Sequence, residues 1–423
     1  MSILLAPTPP MGWNSFDCYD MAVTEEDVLG NADYQAHHLL NFGWEYVVID
    51  GMWYDPTSAA WGRSDQPLAL DEYGRYLPCP IKFPSSANGQ GFKHIGAQIH
   101  TLGLKFGIHI MRGISRQAVQ LNTPILGSSK HARDIADTTN ICCWWERSYG
   151  VNAAKHGAQE WYNANFQLYA DWGVDFIKAD DLSFPYHRKE IELIRQAIDN
   201  CGREMVLSLS PGDTPITAAE HVKEHAQMWR ISGDFWDEWP QLLRMFTLLE
   251  QWNPHCGAGH WPDADMLPLG IISIRRNPAK LPRFSNFTTE EQRLLMTLWC
   301  IAKSPLMFGG DMRVLDPWTL SLLTNRDVLE MHRECTANRL LFHNDYRIAW
   351  TAQHPNGGVY LALFNVGECD EVFISATLAE LGITGSAHVQ ELWSREDLGI
   401  VKERIEALIP PHGTKLYKIT ACI

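Results

Sequence analysis

A short and mostly apolar segment of the chain, residues 174–177, is followed by Lys178, Asp180 and Asp181. A buried parallel strand is apolar throughout, and charges at its C-terminal end are costly to desolvate unless they have a partner or a function. Lys178 and Asp180 are two residues apart, so both side chains point to the same face of a strand. An ammonium there helps to keep a carboxylate ionised. We therefore predict that Asp180 is a nucleophile.

A second acid, Asp234, follows another candidate strand, four residues after Arg230. Hydrolysis of a glycosidic bond with retained configuration needs two carboxyl groups. One is ionised and attacks the anomeric carbon, and the other is protonated and releases the leaving group. Asp180 and Asp234, each at the end of a candidate strand, are therefore predicted to fill these two roles. Lys178 and Arg230 are then candidates to bind sugar hydroxyls.

The elements that would position these residues follow a repeating strand and helix pattern, which is typical of parallel β/α architecture. Eight strands are predicted at 11–16, 45–50, 104–110, 175–180, 204–210, 228–233, 261–266 and 305–309. Helices are predicted at 24–41, 92–102, 157–172, 188–200, 239–252 and 288–303. Eight such units predict a (β/α)8 TIM barrel over residues 1–334, with reactive groups at the C-terminal strand ends.

The pattern changes after residue 334, where short alternating runs at 347–352, 358–364, 371–375 and 415–419 predict strands without helices. Turn signals separate these runs, as in antiparallel structures. We predict a C-terminal antiparallel β-sandwich over residues 335–423.

Composition excludes several classes of partner. The 423 residues carry a formal net charge of −15, which argues against nucleic acid or an anionic membrane surface. The ten cysteines lack zinc-site spacing, no secretory leader is evident, and we predict free thiols in the cytoplasm. A small neutral oligosaccharide or glycoside is the expected substrate, and a homo-oligomer is possible.

Three other hypotheses fit parts of the pattern. Lys178 is a candidate Schiff-base lysine of an aldolase-like enzyme. Asp180, Asp234 and Asp263 or Asp265 are candidate oxygen ligands of a metal-dependent enzyme. A non-catalytic sugar-binding protein is the third hypothesis. Taken singly, each acid is as readily explained as a helix cap or a loop-fixing ion pair, and most tryptophans fill protein cores.

Five motifs in order resemble glycoside hydrolase family 27, which contains α-galactosidases, α-N-acetylgalactosaminidases and related retaining enzymes. They lie at 9–16, 46–50, 103–108, 175–180 and 261–267, and the similarity extends to 391–394 and 411–414. The resemblance implies Asp180 as nucleophile and Asp234 as acid/base, without a metal or nucleotide cofactor. It implies sugar contacts from Trp13, Asp50, Lys178, Arg230 and Asp265.

The chain departs from the family pattern at several predicted site positions. Gly51 stands where a second aspartate is common, His109 where a tyrosine is usual, and Asp181 where an asparagine is usual. An extra carboxylate at 181 would raise the pKa of the nucleophile unless it points away or pairs with a cation. Ser210 resembles the small residue of α-N-acetylgalactosaminidases, and Asp213 is close enough in sequence to reach the site.

We include His109 and Ser210 among the predicted substrate-binding residues. An α-galactosidase is the first prediction, with an α-N-acetylgalactosaminidase or a β-L-arabinopyranosidase as alternatives.

Residues 112–148 show no helix or strand period. Loops of this length are often functional. We predict an irregular loop that folds over the mouth of the site, with Trp144 or Trp145 forming a subsite for the leaving group. A packed surface loop is the alternative.

Overall fold

The computed structural model describes residues 4–57, 66–275 and 281–422. Residues 1–3 and 423, at the ends of the two predicted domains, lie outside the described residues. The strands of the first part, numbered in chain order, are β1 (Met11–Asn14), β2 (Tyr46–Ile49), β3 (Lys105–Met111), β4 (Ile114–Ser115), β5 (Ala136–Ile141), β6 (Ser148–Val151), β7 (Phe176–Asp180), β8 (Val206–Leu209), β9 (Met228–Arg230), β10 (Trp261–Asp263), β11 (Ile271–Ile272), β12 (Arg283–Phe284) and β13 (Leu306–Phe308).

Helices alternate with these strands. They are α1 (Phe16–Tyr19), α2 (Glu25–His38), α3 (Lys93–Thr101), α4 (Arg116–Leu121), α5 (Ala132–Ile135), α6 (Ala158–Asp171), α7 (Arg188–Asn200), α8 (Ala219–His225), α9 (Trp239–Trp252), α10 (Thr289–Ala302), α11 (Pro317–Leu323) and α12 (Arg326–Glu334). Short 3-10 turns lie at Asp20–Ala22, Leu40–Phe42, Pro84–Ser86, Ile216–Ala218, Asn253–His255 and Met312–Val314. No helix of the described residues is both long enough and apolar enough to span a bilayer.

In the described residues, eight parallel strands form one sheet in the order β10, β9, β8, β7, β3, β2, β1, β13. The sheet curls so that its ends meet: Leu267, just beyond β10, pairs in parallel with Phe308 of β13. The N–H of Leu267 donates to the Met307 carbonyl at 2.8 Å. The predicted TIM barrel is therefore confirmed.

Burial on both faces explains why the barrel strands are apolar. All four residues of β2 (YVVI) and of β8 (VLSL) are buried. In β7 (FIKAD) only Lys178 is partly exposed, and it lies near the C-terminal end where the charges begin. The apolar part of each strand thus supports the barrel, and its last residues reach the rim.

The C-terminal part is antiparallel, which confirms the predicted β-sandwich. Its strands are β14 (Thr336–Asn344), β15 (Arg347–His354), β16 (Gly358–Asn365), β17 (Val372–Thr377), β18 (Ala387–Glu391), β19 (Asp397–Val401), β20 (Arg404–Ile409) and β21 (Thr414–Ala421). Among the described residues, six of them form one sheet, and β17 pairs with β20 in a second. Because α12 ends at Glu334 and β14 begins at Thr336, we propose the domain boundary at residue 335.

Helix α10 lies between the barrel and the sandwich, and most of its residues are buried. A helix that is apolar around most of its circumference is expected where both sides are covered. Thr288 and Glu291 form a capping box at its N-terminus. The Glu291 carboxylate also contacts Nδ1 of His412 from the sandwich at 2.7 Å. The ring of His412 stacks on Trp239 with centroids 3.5 Å apart.

The prediction of an irregular loop at 112–148 is wrong. This segment contains β4, α4, α5 and β5, and β6 completes a three-stranded sheet with β4 and β5. We call residues 112–157 the excursion, because they connect β3 to α6 outside the barrel. β5 is mainly polar and has no buried residue, so it lacks the alternation of a half-buried strand.

Most of the predicted barrel strands are shorter than expected, and β9 ends at Arg230 instead of residue 233. β1 stops at Asn14 because α1 begins at Phe16, and β10 stops at Asp263.

Candidate active site

A cavity of about 410 Å³ opens at the C-terminal ends of the barrel strands. Its volume falls in the range of small-molecule sites. Asp17 lines it, together with seven residues predicted for the site: Asp50, His109, Lys178, Asp180, Arg230, Asp234 and Asp265. These seven predicted site residues, which come from five different strand ends, therefore meet in one pocket.

Asp180 ends β7, and both of its carboxylate oxygens are held. Nε2 of His109 lies 2.8 Å from Oδ2, and the hydroxyl of Ser210 donates to Oδ1. Burial opposes ionisation, but the charges of His109 and Lys178 outweigh it and hold the pKa of Asp180 well below its usual range. Asp180 is thus a carboxylate at neutral pH, which is the state that a nucleophile needs.

Lys178 and Asp50 form a buried ion pair beside Asp180, with Nζ and Oδ2 2.7 Å apart. Asn14 donates a second hydrogen bond to the same oxygen at 2.7 Å. Burial lowers the pKa of Lys178, but Asp50, Asp180 and Asp265 raise it more, and the net pKa lies above the usual value. A protonated lysine is a poor Schiff-base nucleophile, so the aldolase hypothesis loses its main support.

Asp181 points away from the pocket, which removes the concern about a second carboxylate beside the nucleophile. Its backbone has a φ of 64°, and Oδ2 accepts hydrogen bonds from Nε and Nη2 of Arg112 at 2.9 and 2.6 Å. The guanidinium also binds Glu190 at 2.6 Å, and the N–H of Arg112 donates to the carbonyl of Asp180 at 3.1 Å. Arg112 therefore fixes the turn that follows the nucleophile.

Arg230 and Asp234 lie on the other side of the pocket. Nη2 of Arg230 is 2.8 Å from Oδ2 of Asp265 and 3.4 Å from Oδ1 of Asp234. The side chain of Asp234 is 52% exposed, whereas that of Asp180 is 12% exposed. Water can therefore reach Asp234, as the predicted acid/base requires, while the nucleophile is shielded.

Asp265 and Asp263 form the buried support behind Arg230. The N–H of Asp265 donates to Oδ1 of Asp263 at 2.9 Å, and Oδ2 of Asp265 accepts the N–H of Phe235. Burial raises the pKa of Asp265, and it raises the pKa of Asp263 to about 6. Only Asp265 of this pair lines the cavity.

Trp13 and Ser210 were predicted as sugar contacts, but neither lines the cavity. The indole of Trp13 is fully buried, and its Nε1 donates to the Gly310 carbonyl at 2.9 Å. Ser210 uses its hydroxyl on Asp180 instead. Asp213 pairs with Arg244 at the surface and does not reach into the cavity. These three side chains therefore lie behind or beside the pocket. The position of a residue in the sequence of a strand did not by itself indicate which way its side chain points.

Sequence reasoning missed most of the apolar lining. It consists of Phe16, Met21, Met52, Pro211, Phe235, Trp236 and Met266, together with Trp144, for which a subsite was predicted. Trp145, the alternative at that position, is fully buried. The missed residues follow strand ends, in loops, in α1 or in a 3-10 turn. Only their closeness in sequence to predicted site residues could have indicated them.

A metal site finds no geometric support in the described residues, where no group of three or more His, Cys, Asp or Glu side chains is placed to hold an ion. All ten cysteines are free thiols.

Known proteins resemble the chain over both parts. Residues 139–334 match the family model for alpha galactosidase A, and residues 344–419 match that for the alpha galactosidase C-terminal beta sandwich domain. A β-L-arabinopyranosidase of glycoside hydrolase family 27 from Geobacillus stearothermophilus is 50% identical, with a TM-score of 0.96 over 99% of this chain and 97% of that one.

Two further relatives carry different descriptions. A putative α-N-acetylgalactosaminidase from Bacillus halodurans is 48% identical, with a TM-score of 0.90 over 99% of both chains. Alpha-galactosidase 2 from Arabidopsis thaliana is 25% identical over 98% of this chain and 90% of its own. The matches agree on the family and differ on the sugar. The chain belongs to glycoside hydrolase family 27 and is a hydrolase that acts on glycosidic bonds.

Proposed function

We propose that this protein is a retaining exo-glycosidase that removes terminal β-L-arabinopyranosyl residues. The observation that carries the mechanism is the pairing, in one pocket, of a buried ionised Asp180 with a half-exposed Asp234. In the first step, Asp180 attacks the anomeric carbon while Asp234 protonates the departing oxygen. In the second step, Asp234 takes a proton from water, whose oxygen displaces Asp180, and the anomeric configuration is retained.

The other charged residues have roles that follow from their contacts. Lys178 and Asp50 neutralise each other, and both line the cavity, so they can bind sugar hydroxyls as donor and acceptor. Arg230 contacts both Asp265 and Asp234 and is placed to orient the acid/base. His109 and Ser210 hold the nucleophile rather than the sugar. The ten free thiols support the predicted cytoplasmic location.

The choice of sugar rests on similarity and on residue 51. β-L-Arabinopyranose has the ring configuration of α-D-galactopyranose without the exocyclic hydroxymethyl group, so one pocket can accept both rings. The 50% identical relative is a β-L-arabinopyranosidase, and a variant of it has been solved with arabinose. Gly51 supplies no side chain at a position where a second carboxylate is common in the family. A sugar hydroxyl thus loses one acceptor, and this loss weakens binding least for arabinopyranose, which has no exocyclic hydroxymethyl group. An α-galactosidase, the first prediction from sequence, becomes the second candidate.

A panel of three 4-nitrophenyl glycosides tests the sugar: the β-L-arabinopyranoside, the α-D-galactopyranoside and the α-N-acetylgalactosaminide. We expect the highest kcat/KM for the arabinopyranoside, by about tenfold or more over the galactoside. A preference for either other substrate would reassign the sugar. Proton NMR of the first product formed tests retention.

Asp180→Ala tests the nucleophile. We expect hydrolysis to fall by at least about 10⁴-fold, because no other group can form the covalent intermediate. Azide should restore turnover and give a glycosyl azide of inverted configuration. Asp213→Ala is the matched control, because this exposed aspartate pairs with Arg244 outside the cavity. Activity that survives Asp180→Ala would end the assignment.

A further inference from the structure

The pocket has two chemically different regions. The buried charges around Asp180 can satisfy the hydroxyls of one sugar ring. Two partly exposed tryptophans, Trp144 and Trp236, line the same cavity, and Trp236 is two residues after the half-exposed Asp234. Because Asp234 is the proposed acid that protonates the departing oxygen, the leaving group must lie beside it.

The two tryptophans come from different parts of the chain. Trp144 belongs to the excursion that follows β3, and Trp236 follows β9 by six residues, two after Asp234. β7 and β8 separate these two strands in the sheet. Both residues line one cavity, so both are available to a ligand that fills it.

The chain segment around Trp144 is held in place by buried residues on both sides of it. Its neighbours Cys142 and Trp145 are 2% and 0% exposed. Asn140 accepts a hydrogen bond from Nη2 of Arg112 at 3.0 Å, and the same guanidinium binds Asp181. A rigid aromatic side chain loses little conformational entropy when it binds a ligand, which suits it to a recognition surface.

Polar partners are scarce elsewhere in the cavity lining. Besides Asp234 and Asp17, the lining residues outside the charged cluster are apolar or aromatic. A second sugar would need partners for several hydroxyls, whereas an aromatic ring needs mainly apolar area and stacking. We infer that Trp144 and Trp236 form a leaving-group subsite for aryl aglycones. This inference rests on the proposed glycosidase function and adds the class of leaving group to it.

Two substrates that differ only in ring area test the inference, the phenyl and 2-naphthyl glycosides of the sugar that the nitrophenyl panel selects. Phenol and 2-naphthol are similar in acidity, so a difference in kcat/KM reports contact with the ring. We expect the wild type to favour the naphthyl glycoside by about five- to tenfold, the range of a good aromatic contact. Trp144→Ala and Trp236→Ala should each lower this ratio towards one, and Trp144→Phe should restore part of it.

Trp318→Ala is the matched control, because this partly exposed tryptophan lies outside the cavity. The control should keep the wild-type ratio. Inhibition by the free sugar should stay unchanged in the Trp144 and Trp236 variants, which separates a lost subsite from a distorted pocket. A wild-type ratio near one, or an equal loss on both substrates in the variants, would overturn this inference and leave the glycosidase proposal intact. Failure to hydrolyse any glycoside would instead overturn the proposed function.

Discussion

Asp263 is a buried carboxyl group whose ionisation the fold resists. Burial raises its pKa to about 6, whereas an unfolded aspartate ionises near pH 4. Between about pH 4 and 6 the folded state therefore binds more protons than the unfolded state. The contribution of Asp263 to stability is fully present below pH 4 and is lost as the pH rises through 6, a loss of about 3 kcal/mol.

Asp263→Asn should remove this pH dependence. The amide oxygen can still accept the N–H of Asp265, and the side chain no longer titrates. We expect the unfolding free energy of the variant, relative to that of the wild type, to rise by about 2–3 kcal/mol from pH 4 to pH 7. Thermal midpoints of both proteins at four pH values give the comparison, with Asp397→Asn as a surface control. A difference that stays constant with pH would contradict the expected titration.

Charge and strand position were sufficient to predict which charged residues of β7 lie at the cavity. Lys178 and Asp180 were predicted together because two residues along a strand share a face, and both line the cavity. Trp13 and Ser210 were predicted as sugar contacts from the family resemblance, yet Trp13 is buried and binds a backbone carbonyl, and Ser210 binds the nucleophile. The partner of Asp181 is 69 residues away, and no local pattern indicates such a contact.

Among the elements around the site, the excursion contacts the turn after the nucleophile strand through the guanidinium of Arg112. Arg112 lies between the carboxylates of Asp181 and Glu190, and its side chain is 1% exposed. Tyr162 and the N–H of Val151 also bind Glu190, so the network reaches α6 and β6. Removal of the shared cation would leave two buried carboxylates without their counter-charge.

Arg112→Met should therefore destabilise the protein by about 3–5 kcal/mol at pH 7. Arg112→Lys keeps the charge but not the forked geometry, so we expect an intermediate loss. Urea unfolding, compared with the exposed Arg133→Met of the same excursion, measures the effect. If Arg112→Met unfolds at the same urea concentration as Arg133→Met, the network is not a stabilising link.

The barrel elements could be predicted because strands buried on both faces read as apolar runs between amphipathic helices. α7 and α9 have the predicted bounds. The strands of the excursion could not be predicted, because β5 has no buried residue and its pairing with β6 is irregular between Asp137 and Ile141. Four strands of the sandwich, β14, β18, β19 and β20, were also missed, since their mixed polar and apolar residues give no clear strand pattern.

At the scale of the molecule, the barrel and the sandwich meet through the pairing of His412 with Trp239 and Glu291. The rings are inclined by 13°, and Nδ1 of His412 lies 2.7 Å from the Glu291 carboxylate. A stacked pair of this kind contributes about 0.5–1.5 kcal/mol beyond the apolar area that it buries. The contact is distant in sequence from β14, where the sandwich begins.

His412→Ala should lower the thermal midpoint by about 2–4 °C, because it removes both contacts at once. His388→Ala is the matched control, since that half-exposed histidine of β18 contacts Asp397 at the surface of the sandwich. Calorimetry on both variants gives the comparison. Equal midpoints for the two variants would show that the stack does not hold the two parts together.

The barrel is completed by strands from opposite ends of its sequence, since β1 pairs with both β2 and β13. The indole of Trp13 binds a carbonyl 297 residues farther along the chain. A ribosome that adds about 5–20 residues per second needs roughly 15–60 s to synthesise that stretch. During translation, one edge of the first strand therefore stays unpaired over this time, and unpaired strand edges promote aggregation. A newborn chain of this protein is thus most vulnerable before its last barrel strand leaves the exit tunnel.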